Sequence, residues 1–350
     1  MTGRTTATTT ARTATTAATT TAATITGIGA AVPDRVVTNA DFEARLDTTD
    51  EWIVERTGIR ERRHAGPDDT TASLAIAAGA AAIKDAGLVP DQIDLVIVAT
   101  ATPEQPLPAT SAYVQDGLGL RCGAFDLAAA CSGFVYGLVT ASSLVQTGAL
   151  QAVLVIGAET LSRIVDPEDR GTCILFGDGA GAVVVQPVEN GTEPGTERGL
   201  LAWDLGCDGS AAGILEVPAG GSRRPTTAET VAEGGHFVHM EGREVFRRAV
   251  RAVVDSSSRT LADAGMAAAD VDWFVPHQAN RRIIDAATER LGLPAERVVV
   301  NLDRYGNTSA ASIPLALAEA DLHDGDVVLL SGFGAGMTWA SALLRWGTGR

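Results

Sequence analysis

The stretch Asp85-Ala-Gly-Leu-Val-Pro-Asp-Gln-Ile-Asp94-Leu-Val-Ile-Val-Ala-Thr-Ala101 returns without a gap as Asp263-Ala-Gly-Met-Ala-Ala-Ala-Asp-Val-Asp272-Trp-Phe-Val-Pro-His-Gln-Ala279. The two copies stand 178 residues apart at Asp85/Asp263 and again at Asp94/Asp272. Each reads as a helix closed by Ala-Gly, a short connection and a buried strand, because Gly just past a helix supplies the left-handed cap. Further blocks keep nearly this spacing. Phe125-Asp-Leu127 matches Val300-Asn-Leu302, and Val155-Ile-Gly157 matches Leu330-Ser-Gly332, both 175 residues apart. Two similar halves of helix and strand predict a duplicated α/β chain folded as a pseudo-twofold pair. On this alignment Cys131 falls opposite Gly306, and His277 falls opposite Ala99.

The repeat brings three chemically suggestive residues to strand ends near the pseudo-axis. Cys131 ends Phe125-Asp-Leu-Ala-Ala-Ala-Cys131 and begins Ser-Gly-Phe-Val-Tyr-Gly-Leu, a strand, tight turn and helix. A thiol at a helix N-terminus meets aligned N–H groups and the positive dipole end, which favours thiolate. His277 follows an apolar strand in Val275-Pro-His-Gln-Ala-Asn280, and Asn307 lies in the turn Arg304-Tyr-Gly-Asn-Thr-Ser-Ala310. Alone, each has a plain reading: a small core Cys, a satisfied His, an Asn serving a turn. Together, a thiolate, a His and a fixed amide donor can hold an acyl group and do carbonyl chemistry on it.

The 350 residues suffice for two closely packed domains. Net charge is −16, which argues against a nucleic-acid or anionic-membrane binder, so neither is an expected partner. Basic residues nevertheless cluster at Arg243, Arg247, Arg248 and Arg251, and at Arg281, Arg282 and Arg290. The second cluster directly follows His277. Four Cys occur, at 122, 131, 173 and 207, with no C-x-x-C pair and no metal-ligand spacing, so no metal is expected. This usage suits a reducing, cytoplasmic compartment. No apolar stretch is long enough for a membrane span.

Residues 1–24 form a Thr/Ala-rich leader without the apolar core of a secretion signal, expected to be an extended or disordered tail. Residues 25–186 would form the N-terminal half carrying the Cys, and 187–350 the C-terminal half carrying the His and Asn. The Gly-, Pro- and Thr-rich segment 187–235 reads as a surface excursion between them. Trp52 and Arg56 share a helix face at i, i+4 in Asp50-Glu-Trp-Ile-Val-Glu-Arg56. Glycines within Leu175-Phe-Gly-Asp-Gly-Ala-Gly-Ala-Val-Val-Val185 lack the Lys and following helix of a phosphate loop, and predict a bend or bulge in a central strand.

The chain resembles β-ketoacyl-acyl-carrier-protein synthase III, the initiating condensing enzyme of dissociated fatty acid synthesis in the thiolase superfamily. The match is carried by Asp50-Glu-Trp-Ile-Val-Glu-Arg-Thr-Gly-Ile-Arg60, Ala128-Ala-Ala-Cys-Ser-Gly-Phe134, Asp166-Pro-Glu-Asp-Arg-Gly171, Phe176-Gly-Asp-Gly-Ala-Gly181, Val275-Pro-His-Gln-Ala-Asn280 and Tyr305-Gly-Asn-Thr-Ser-Ala-Ala-Ser-Ile-Pro314. It extends over roughly residues 25–346. The resemblance implies a thiolase-like, duplicated, five-layered αβαβα fold and a homodimer. It implies that Cys131 takes an acyl group from acyl-CoA, and that His277 and Asn307 polarise a malonyl-acyl-carrier-protein thioester as it loses CO2. Backbone N–H groups of Cys131 and Ala335 would hold the oxyanion. Trp52 and Arg170 would sandwich the CoA adenine, Arg56 would lie near its phosphates, and Asn280 would also contact CoA. Gln278, Ala279, Asn280, Arg281 and Arg282 would dock the acidic acyl carrier protein. Leu107 of the partner subunit would border the acyl pocket, where the family often carries Phe. CoA thioester is then a substrate, and no cofactor is expected.

A starter-unit synthase of an aromatic polyketide pathway would use the same fold and residues. A papain-like cysteine protease also runs Cys, His and Asn, and the interval from Cys131 to His277 fits that family. Against it, Cys131 is far from the N-terminus, lacks the protease's local Cys motif and sits in a duplicated α/β chain.

Overall fold

The computed structural model describes residues 22–189 and 196–347. Residues 1–21 of the leader lie outside the described residues. The leader expected over 1–24 ends early, because Ala22, Ala23 and Thr24 are buried in the first strand.

The first sheet contains β1 (Ala22–Ala31), β2 (Leu95–Ala99), β3 (Gly123–Leu127), β4 (Val153–Thr160) and β5 (Asp178–Val188), in the order β1-β5-β4-β2-β3. The second contains β6 (Gly199–Cys207), β7 (Trp273–Pro276), β8 (Val327–Gly334) and β9 (Thr338–Arg345), in the order β6-β9-β8-β7. In each sheet the first three strands pair antiparallel and the next joins in parallel. A parallel bridge from Phe274 to Val298 supplies the second sheet's counterpart of β3. The duplication is therefore present strand for strand. Segment 187–235 is more than a surface excursion, since β6 within it forms an edge of the second sheet.

The longer helices are α1 (Asp50–Thr57), α2 (Thr71–Asp85), α3 (Thr110–Gly117), α4 (Gly133–Gln146), α5 (Gly242–Asp263), α6 (Arg281–Leu291) and α7 (Ser312–Glu319). Helices α2 and α3 cover the outer face of the first sheet, and α5 covers the outer face of the second with α6 against it. Between the sheets lie α4 and α7, completing five layers. The middle layer packs Phe134, Leu138, Ile313 and Leu317 against Val155, Val183, Val328 and Leu330, all buried. Burying one such side chain is worth roughly 1.5–3 kcal/mol. Because α4 and α7 touch both sheets, this stabilisation is shared by the two halves.

Each central helix is entered through a one-turn 3-10 segment, Ala130–Ser132 before α4 and Ser309–Ala311 before α7. Both open on a residue with positive φ, +46° at Ala130 and +47° at Ser309. Cys131 is thus structurally opposite Ala310, not Gly306 as the sequence alignment had it. The second half carries extra residues ahead of its turn, and Asn307 sits on them.

The glycine-rich run ending at Val185 is a regular strand. The pairing of β4 with β5 is unbroken from Val153/Val185 to Thr160/Asp178, and the register shift on the other side falls in β1, between Ile25 and Gly27 opposite Val185 and Val184, so the bulge lies beside the run and not in it. The glycines serve close approach instead. Gly157 and Gly181 are register partners. A Cβ on Gly157 would lie 2.1 Å from the Ala310 carbonyl oxygen, and one on Gly181 would lie 2.7 Å from Pro314 Cβ. The paired glycines form the flat seat of the Ser309 turn and the start of α7. Gly157→Ala would have to displace that backbone and should cost about 1–3 kcal/mol. This would be read as a lower urea midpoint, and an unchanged midpoint would contradict the seating.

Candidate active site

One cavity is lined by Cys131, His277 and Asn307, so the structure brings the three residues together as the sequence reading expected. Its remaining walls are mainly apolar and include Phe176, Leu215, Met240, Phe246 and Phe333. Three structural devices deliver the polar groups. Cys131 is held in the turn before α4, with Gly334 at the end of β8 pressed against it. A Cβ at Gly334 would come within 2.6 Å of the Cys131 amide nitrogen. His277 follows β7, and its backbone N–H donates to the Ser331 carbonyl at 2.8 Å. Asn307 joins the segment beside β5 through two backbone bonds, its N–H to Leu175 (2.8 Å) and its carbonyl from Gly177 (3.0 Å).

Side-chain contacts orient the donors. Imidazole Nδ1 lies 2.6 Å from Ser312 Oγ, in the first turn of α7, while Nε2 is buried without a partner. Phe333 packs edge-on against the ring at 5.3 Å between centroids. Asn307 Oδ1 accepts from Ser309 N–H at 2.9 Å, and its Nδ2 has no acceptor among the described residues. Ser312, Ser309 and Phe333 were missed by the sequence reading, although the two serines lie within the quoted Tyr305–Pro314 motif.

The electrostatics differ from the expectation of a thiolate. Burial pushes the Cys131 thiol up to about 12, the nearby Glu159 carboxyl adds to this, and a Ser309 hydroxyl bond opposes it. Cys131 precedes α4 proper and is enclosed, so loss of water outweighs the helix-end field. Burial likewise lowers His277 to about 3. Near neutral pH the empty site therefore holds a thiol beside an uncharged imidazole.

Around this centre the other residues of interest fall into place unevenly. Helix α1 starts where Thr49 Oγ1 accepts from Trp52 N–H and stops at Gly58 in the left-handed region, φ +80°. The Trp52 ring is flanked by both guanidiniums, Arg56 at 4.6 Å and Arg170 at 4.7 Å. Arg170 is also tied to the Asp47 carbonyl. Trp52 and Arg170 thus touch directly, and the open slot expected between them is closed. Asn280 caps α6, with Oδ1 accepting from Arg282 N–H at 2.9 Å, and its Nδ2 donates to the Arg56 carbonyl at 3.0 Å. It also lines the cavity.

The segment 278–282 divides. Gln278 and Ala279 are buried, which corrects their assignment to a docking surface. The Gln278 amide donates to the Pro276 and Val299 carbonyls and accepts from Asn301 N–H, so it braces the turn after β7. Arg281 is exposed and ion-paired with Asp285 at 2.7 Å. Exposed Arg282 lies 5.7 Å above the ring of Phe246, a cavity-wall residue. Ala335 lines an adjoining hollow that shares Phe333 and Gly334 with the main cavity. Leu107 is 84% exposed. No helix among the described residues is long and apolar enough to cross a membrane.

Comparison with known proteins converges on one family. Residues 125–217 match the model of 3-oxoacyl-[acyl-carrier-protein (ACP)] synthase III, and residues 261–346 match that of its C-terminal part. The chain is 53% identical to the β-ketoacyl-[acyl-carrier-protein] synthase III of Symbiobacterium thermophilum, over 92% of this chain and 98% of that one. It is similar to the solved synthase III of Thermus thermophilus, with 49% identity, TM-score 0.84 and coverage of 93% and 99%. It is also similar to the priming β-ketosynthase of the R1128 polyketide biosynthetic pathway, with 37% identity, TM-score 0.85 and coverage of 94% and 97%. With these matches spanning nearly its whole length, and with Cys131, His277 and Asn307 gathered in one cavity, the chain belongs to the 3-oxoacyl-[acyl-carrier-protein] synthase III family.

Proposed function

We propose that this enzyme primes fatty acid synthesis by condensing a short acyl-CoA with malonyl-acyl-carrier protein. The products are 3-oxoacyl-acyl-carrier protein, CoA and CO2. The observation that carries this reading is the shared cavity, which sets one nucleophile opposite two neutral donors. In the first half-reaction Cys131 Sγ attacks the acyl-CoA carbonyl, the bond to the CoA sulfur breaks, and the thiol proton ends on CoA. Charge is conserved, so no standing thiolate is required. The backbone N–H groups of Cys131 and Ala335 receive the oxyanion.

In the second half-reaction the malonyl C–C bond breaks and its electron pair forms an enolate. His277 Nε2–H and Asn307 Nδ2–H donate to the enolate oxygen. For His277 this requires that the Ser312 hydroxyl donate to Nδ1, leaving the proton on Nε2. The carbanion attacks the acyl-Cys carbonyl, and Cys131 leaves as a thiolate that then takes up a proton. A cationic His is not needed, and burial keeps His277 neutral far below pH 7.

The CoA adenine would enter at Trp52 once Arg170 swings off the indole, with Arg56 beside the phosphates and Asn280 at the neck. Arg281 and Arg282 are the exposed members of the carrier-docking segment. The exposed edge of β3, with Phe125, Tyr113 and Leu107 near it, supports a homodimer in which Leu107 closes the partner's acyl pocket. Four free cysteines support cytoplasmic action. Identity of 53% to the Symbiobacterium thermophilum synthase III and 49% to that of Thermus thermophilus, against 37% to the polyketide priming enzyme, favours the fatty acid role. No cofactor enters either half-reaction.

Two experiments test this assignment. His277→Ala should lower CO2 release from malonyl-acyl-carrier protein by about 100-fold or more while acyl transfer to Cys131 persists. Equal loss of both half-reactions would sink the division of labour. Leu107 is smaller than Phe, so isobutyryl-CoA should be accepted at an initial rate comparable with acetyl-CoA, and Leu107→Phe should shift preference to acetyl. A strong acetyl preference in the wild type would contradict the pocket assignment.

A further inference from the structure

Glu159 is a buried carboxyl that the condensation scheme above leaves unused, as it does Arg62 and Asp178. It is fully buried near the end of β4, one residue beyond a run of buried apolar side chains. By strand equivalence it occupies the place in the first half that Gly334 holds in the second, 175 residues on. Gly334 lies against the Cys131 amide, and Glu159 lies beside the Ser309–Ala311 turn through the Ala310 N–H. A buried carboxyl is costly unless its oxygens are matched by donors. Here the partners are all donors. Thr102 Oγ1–H lies at 2.6 Å, Ala101 N–H at 3.1 Å from both carboxyl oxygens, and Ala310 N–H at 3.5 Å. The Ser309 hydroxyl lowers both the Glu159 carboxyl and the Cys131 thiol against the larger effect of burial. Its backbone N–H fixes Asn307 Oδ1.

We propose that Glu159 is a positioning residue of the condensing site. It anchors the Ser309–Ala311 turn, so that Ser309 holds the Asn307 carboxamide with Nδ2 toward the substrate and sets the environment of the Cys131 sulfur. The inference rests on the condensing reading of the same cavity. Cys131 and His277 are the titratable side chains lining that cavity among the described residues, and His277 is neutral. Glu159 lies outside the cavity lining, and its carboxyl raises the Cys131 thiol after burial has done so. Its removal should act on two observables separately: the thiol through charge, and decarboxylation through the Asn307 amide.

Glu159→Gln keeps the shape and removes the charge. In the full-length variant three quantities are measured: the pH dependence of Cys131 alkylation by iodoacetamide, acyl-Cys formation from acetyl-CoA, and CO2 release from malonyl-acyl-carrier protein. The alkylation profile should move to lower pH. Decarboxylation should fall about tenfold or more through misplacement of Asn307, with acylation changed less than about threefold. An unmoved alkylation profile with unchanged rates, or a parallel fall of both half-reactions without a profile shift, would overturn the proposal. If Glu159→Gln does not fold, Ser309→Ala carries the test. Selective loss of decarboxylation supports the link, and wild-type rates overturn it. Failure of wild-type enzyme to acylate at all would instead count against the condensing reading, while the alkylation profile would still report on the effect of the Glu159 carboxyl on the Cys131 thiol.

Discussion

The Ser309–Ala311 turn rests on bare backbone at Gly157 and Gly181, and the geometry of the site follows from that contact. The two glycines are paired across β4 and β5, so a single patch of sheet lacks side chains where the second half's central helix begins. Pro314 and the Ala310 carbonyl occupy the space. From this seat Ser309 reaches Asn307, and Ser312 reaches His277. A similar close contact holds on the other side, where Gly334 lies against the amide of Cys131. Each half thus presses a helix entrance onto the other half's strand end. Catalytic groups from distant parts of the chain meet because the halves interlock, not because they are near in sequence.

Enclosure then decides the chemistry. With mainly apolar walls around three polar groups, burial disfavours charge on all of them. The thiol rises, the imidazole falls, and Glu159 is held above its ordinary carboxylate value, burial being the largest cause in each case. A site of this kind is suited to donating hydrogen bonds to a transient oxyanion, which forms inside it and leaves with product. It is poorly suited to storing a permanent ion pair. The resting enzyme therefore waits with a neutral thiol and a neutral imidazole, and substrate brings the charge that these groups meet.

Much of this was legible in the sequence, for identifiable reasons. The Asp85–Ala101 and Asp263–Ala279 repeat gave the duplicated architecture because a helix end and a buried strand each leave strong local signals. Cys131, His277 and Asn307 each had a plain reading alone, and stood out because the repeat places all three at strand ends and turns near the pseudo-axis. The helix-end argument for a thiolate failed at Cys131, since sequence shows the helix entrance but not the enclosure that removes water. The family resemblance carried Gln278 over to a docking segment with Arg281 and Arg282, whereas its side chain is buried and its amide braces a turn. The glycines before Val185 were read as a bend because nothing local reveals that Pro314 approaches them. Glu159 drew no notice for the same reason, as its donors come from Thr100, Ala101, Thr102 and Ala310.

The central claim is that Cys131 carries the acyl group between two thioester substrates. Intact mass tests it directly, after incubation of wild type and Cys131→Ala with acetyl-CoA or isobutyryl-CoA and a chase with malonyl-acyl-carrier protein. The account predicts one acyl adduct, absent from Cys131→Ala and discharged by the chase. An adduct that survives in Cys131→Ala, or no adduct with either acyl-CoA, would contradict it.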